Sequence, residues 1–133
     1  MLAGQSQKEF YVNEAHARID ALLHAAIEGI ANDPPASPVE GECWLVDASP
    51  AGDWSANAGE IACYEAGNWV FVSPRDGLRL LDRSTGQFLL YRAGWTAASA
   101  PAAPAGGTTV DSEARTAIGE LIAALSDAGI LPG

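Results

Sequence analysis

Between residues 41 and 95 the apolar residues recur with a period of two. The runs "ECWLVDA", "EIACYEA", "NWVFVS", "LRLLDR" and "QFLLYRA" follow one another, separated by Gly, Asn, Asp and Ser. Alternation puts successive side chains on opposite faces, so short runs bounded by turn formers predict a meander of antiparallel strands. Ala66-Gly67-Asn68 and Ser84-Thr85-Gly86 join neighbouring runs closely enough to be hairpins. The loop over residues 47–59 is longer than a hairpin needs, and in a small domain such a loop is either functional or irregular packing. It carries Trp54 and Asn57.

Helical spacing flanks this region. Ala15, Ile19, Leu22, Leu23, Ala26, Ile27 and Ile30 share one helix face, with Asn13 as N-cap and with Gly29, Asn32 and the Pro34–Pro35 pair as the stop. After Trp95, "TAASAPAAPAGGTT" cannot build a core and reads as a semi-extended linker. Asp111 then caps a second helix. In it Ala114, Ile118, Leu121, Leu125 and Ala128 fall at a and d positions, Ile122 widens the stripe, and Gly129 ends it. The expected fold is α+β: an N-terminal arm and helix (1–33), a small antiparallel β-domain, meander or barrel-like (34–97), a Pro/Ala linker (98–110) and a C-terminal helix (111–133).

Such a chain is short of core. Of its 133 residues only 8% are aromatic, and alanine supplies much of the 48% hydrophobic content. A unit of roughly 60 residues buries only about 60% of its unfolded surface. The second helix is too short to be stable alone, and a linker of this length decouples it from its own domain. The helix must pack on the β-domain or on copies of itself, and the second is expected, through Ile118, Leu121, Ile122 and Leu125.

Charge and motifs exclude several functions. A net charge of −10 opposes binding to nucleic acid and to anionic lipid. No apolar run reaches the length of a membrane span, and the N-terminus lacks the pattern of a signal peptide, so synthesis in the cytoplasm is expected. Cys43 and Cys63 lack metal-ligand or redox spacing and are expected as two buried, reduced thiols. His16 and His24 lie on one helix and read as solvated. No nucleophile–base constellation has local support, so no enzyme activity, metal or cofactor is expected. Trp54, Trp69, Tyr91 and Trp95, with Asn57 and Asn68 nearby, are the residue types that stack on and hydrogen-bond to sugars. Trp69 opens an alternating strand and is expected mainly in the core. Trp54 is expected to fold back onto the sheet unless a ligand takes it, and Trp95 to cover the sheet end.

Three stretches resemble a known family: "AGQSQKE" with "NEA", then "PPASPVEGECWLV", then "AGDWSANAGEIACYEAGNWVFVSPRDG". They are similar to the bacteriophage and prophage family called domain of unknown function 2793, over residues 3–95. The most specific parts are Gly-Gln-x-Gln-Lys-Glu from Gly4 to Glu9 and Trp-x-x-x-Ala-Gly-x-Ile-Ala from Trp54 to Ala62. Cys43, Cys63 and the Ala/Pro linker depart from the pattern. The resemblance implies a tail-fibre or spike protein of a phage or gene transfer agent, located in the virion and serving host attachment. It also implies a homo-oligomer, with a trimer favoured and a pentamer at a capsid vertex. Gly4, Gln5, Gln7, Lys8 and Glu9 would attach the chain to another spike, capsid or tail protein. The alternative is a module that itself binds host capsular or surface polysaccharide.

Overall fold

The computed structural model describes residues 5–133, with side-chain burial from residue 8 onward. The fold is α+β. Helix α1 (Gln5–Leu23) precedes the strands β1 (Ala26–Ile27), β2 (Ile30–Ala31), β3 (Cys43–Val46), β4 (Ile61–Glu65), β5 (Asn68–Val72), β6 (Arg79–Asp82), β7 (Gln87–Tyr91) and β8 (Trp95–Thr96), and helix α2 (Ser112–Asp127) follows them. The strands form two four-stranded sheets, in the orders β1-β6-β7-β8 and β2-β3-β4-β5. Both are built on an antiparallel hairpin, and each takes a parallel strand from the segment after α1: β1 against β6, and β2 against β3.

That segment corrects the expected extent of the first helix. Ala26, Ile27 and Ile30 continue the helical spacing, yet they lie in strands. Ile27 is fully buried between the sheets, and the amides of Leu81 and Arg83 donate to the carbonyls of Ala25 and Ile27. Burying a β-branched side chain while satisfying both backbones outweighs a local helical preference. The start of α1 also differs, because the run from Gln5 contains good helix formers and no Gly or Pro. Asn13 accordingly lies inside α1 rather than at its cap.

Two cores follow from the alternation. Leu45, Ile61, Cys63 and Val72 of the second sheet meet Ile27, Leu80 and Leu89 of the first, forming the main core. On the opposite face of the second sheet, Val46 and Ala62 pack with Trp54 beneath a cover of Trp44, Trp69 and Phe71. Cys43 and Cys63 stand directly opposite on β3 and β4 and form a disulfide, so the expectation of reduced thiols is corrected. The cause is register: alternation in both strands turns these two side chains to the same face of one antiparallel pair.

The linker does not decouple α2. The buried Gln87 amide nitrogen donates to the carbonyl of Ala98 at 2.6 Å and to that of Ile130 at 2.8 Å, pinning both ends of the excursion to β7. Asp111 caps α2 as expected, its carboxylate accepting from the Ala114 amide at 2.8 Å. At the other end the Gly129 amide donates to Ser126 and the Ile130 amide to Leu125, which is a Schellman closure around a left-handed Gly129 (φ +69°). Leu131 is buried behind it. Between these ends α2 buries no residue.

Candidate ligand-binding groove

The two-residue turn Ala66–Gly67 has positive φ at both positions, the geometry that suits the twist of a tight hairpin. It fixes the register of β4 and β5 so that Tyr64 lies opposite Trp69 and Glu65 opposite Asn68. Tyr64 and Trp69 therefore project from the same face as Ala62, away from the main core. Their rings tilt together with centroids 5.0 Å apart.

A second segment forms the facing wall. The Glu40 carboxylate accepts from the Ala66 amide at 2.5 Å, and the Gly41 amide donates to the Tyr64 carbonyl at 2.8 Å. These bonds hold the proline-bearing loop beside the hairpin. Pro34 also lies against Gly52, at the start of the short 3-10 turn Gly52–Trp54. Between the walls runs a groove of about 470 Å³, lined by Pro34, Pro35, Pro38, Tyr64, Trp69 and Phe71 together with the polar Asp53 and Asn68.

Trp54 supports the groove from beneath. It is fully buried and stands edge-on to Trp69, with centroids 5.0 Å apart and planes at 85°. The 47–59 loop thus folds back, anchored through Asn32, whose backbone and side-chain oxygens accept from the amides of Ala51 and Ser49. Trp54 is corrected as a ligand-contacting residue: an indole with no exposed surface cannot stack on a sugar.

The other expected ligand residues are not brought together. Asn68 is exposed at the groove, its amide nitrogen donating to the Ala66 carbonyl at 3.0 Å. Asn57 is half-buried, and its backbone closes the loop by donating to Trp54 and accepting from Glu60. Tyr91 and Trp95 lie on the first sheet, edge-on to each other at 5.1 Å. There the Trp95 indole donates to the Gly59 carbonyl at 2.9 Å and seals the sheet end. The groove residues missed were Asp53, Tyr64, Phe71 and the three prolines, while Trp69, expected mainly in the core, is half-buried and borders the groove. The signal for the aromatic pair was the two-residue turn, which places Tyr64 and Trp69 across from each other.

The remaining sites lie apart from the groove. Ile118 and Leu121 are exposed on α2, while Ile122 and Leu125 are half-buried. Of the expected attachment residues, Gly4 lies outside the described residues. Gln5 and Gln7 lie on α1, and Lys8 and Glu9 are exposed on it. Among the described residues no group of three or more His, Cys, Asp or Glu is placed to hold a metal ion. No helix among them is long and apolar enough to cross a membrane.

No curated protein matches the chain. A family model described as protein of unknown function (DUF2793) matches residues 12–96, which take in most of α1, both sheets and every residue of the groove. The chain therefore belongs to the DUF2793 family.

Proposed function

We propose that the chain is a non-enzymatic structural component of a phage-like particle, part of a spike or fibre that serves attachment to the host surface. The observation that carries this reading is the unpartnered stripe of α2. Ile118 and Leu121 retain 42% and 60% of their accessible surface although the helix is capped at its N-terminus and tied to β7 just past its C-terminus. A short helix that buries none of its own residues and turns an apolar face to solvent suits assembly with copies of itself, a trimer first and a pentamer at a capsid vertex.

Helix α1 supports the same reading, with Phe10, Tyr11 and Val12 exposed just beyond the Gly4–Glu9 motif. We assign this end the contact with another virion protein. Mass spectrometry of density-purified particles from cells that carry the gene tests the reading. The chain should band with the particles, and deleting its gene should leave particles that adsorb poorly to host cells. Particles that lack the chain and adsorb normally would refute it.

A second reading, in which this chain itself touches host polysaccharide, is favoured by one observation, the Tyr64–Trp69 groove. Trp54 no longer contributes to it.

A further inference from the structure

We propose that the groove receives the linker of a neighbouring copy, with Pro101 and Pro104 as the inserted residues. The linker reads Pro101-Ala102-Ala103-Pro104, and it is exposed, with no helix or strand over residues 97–107. Prolines three apart lie on one face of a polyproline II helix, which turns once every three residues, and flanking alanines leave that face unobstructed. Aromatic-lined grooves take such segments at low entropic cost because the ligand is already extended. Here Tyr64, Trp69 and Phe71 supply the aromatic surface and Pro34, Pro35 and Pro38 the opposite wall. The Tyr64 hydroxyl and the Trp69 indole N–H are groups able to donate to the carbonyls of an extended chain.

The three prolines facing an aromatic wall complement this occupant, and a sugar is the competing outcome that the test distinguishes. Carbohydrate recognition needs several polar side chains converging on hydroxyls. Here Asp53 and Asn68 are the polar side chains of the lining, and one N–H of the Asn68 amide already donates to the Ala66 carbonyl.

We place the contact between chains. Gln87 on the first sheet holds Ala98, and the three residues from there to Pro101 reach at most about 10 Å. The groove opens on the face of the second sheet turned away from the first, and packed sheets are themselves about 10 Å apart. A linker-to-groove contact joins two different surfaces, so it is head-to-tail and closes into a ring if the rotation between copies allows. It builds on the reading of the chain as a self-assembling part, but it uses none of the α2 stripe.

The test is a titration of the isotope-labelled full-length chain carrying Ile118→Asp and Leu121→Asp with a synthetic peptide of residues 96–107. Binding to the groove is thereby read apart from association through α2. The peptide should saturably shift the Trp69 indole resonance and the amides of Tyr64 and Gly67, and a peptide with Pro101→Ser and Pro104→Ser should lose those shifts. Absence of any saturable shift would overturn the proposal, as would equal shifts from the serine peptide. So would shifts of the same resonances by a neutral glucose oligosaccharide when the peptide gives none. In the unmutated chain, a photo-cross-linking amino acid in place of Ala102 should join two chains through the groove. A link to the groove of the same chain would overturn the intermolecular contact.

Discussion

Trp54 lies fully buried and edge-on against Trp69, with centroids 5.0 Å apart, so one indole from an irregular loop holds up another that borders the groove. Buried large aromatics are costly to truncate, and Trp54→Ala is expected to lower stability by about 3–5 kcal/mol. Trp54→Phe should cost less, since it keeps a ring in place and removes an indole N–H that has no protein partner among the described residues. Denaturant unfolding of both variants measures the difference. Equal losses would show that packing against Trp69 is not what the indole supplies.

The Cys43–Cys63 disulfide closes a loop of 20 residues between adjacent strands. Restricting the unfolded chain by a loop of that length is worth about 3 kcal/mol on the chain-entropy scale. Unfolding midpoints with and without reductant should differ accordingly in the parent chain and coincide in the double variant Cys43→Ala, Cys63→Ala. A parent midpoint unmoved by reductant would contradict the bond.

Two glycines of the C-terminal region should respond in opposite directions. At Gly129 an added Cβ meets the Phe88 ring at 2.9 Å and the Gly86 carbonyl at 3.2 Å, in a backbone conformation that L-residues disfavour by about 1–2 kcal/mol. Gly129→Ala should therefore release the end of α2 from β7, and hydrogen exchange at the Phe88 amide, which donates to the Gly129 carbonyl, should accelerate. Gly119 sits inside α2 with open space around it, so Gly119→Ala should stabilise the helix by about 0.5–1 kcal/mol.

The clamp at Gln87 gives a further expectation. Gln87→Ala leaves the carbonyls of Ala98 and Ile130 without their shared donor, and a lost buried hydrogen bond typically costs about 0.5–1.5 kcal/mol. Proteolysis within the 98–110 linker should become faster, while the disulfide-bonded sheet stays protected. Unchanged cleavage would mean that the clamp does not hold the linker.

Much of this architecture was legible where local chemistry decides it. Alternation located β3 to β7, turn residues located both hairpins, and Asp111 and Gly129 marked the ends of α2. What escaped was set by contacts distant in sequence. Ile27 and Ile30 match a helix in isolation and become strand only because β6 and β3 lie ready to pair with them. The pairing of Cys43 with Cys63 needed the β3–β4 register, and the tether at Gln87 needed a bond across 43 residues. The groove was legible in part: Asn68 was singled out, but its walls come from a proline loop and a hairpin that meet only in the fold.

The account rests most heavily on the exposed face of α2, and light scattering on the purified full-length chain tests it directly. The parent should be an oligomer of defined mass, and Ile118→Asp with Leu121→Asp should reduce it to the 13.8 kDa monomer without unfolding the sheets. A monomeric parent, or an oligomer that survives both aspartates, would contradict assembly through α2.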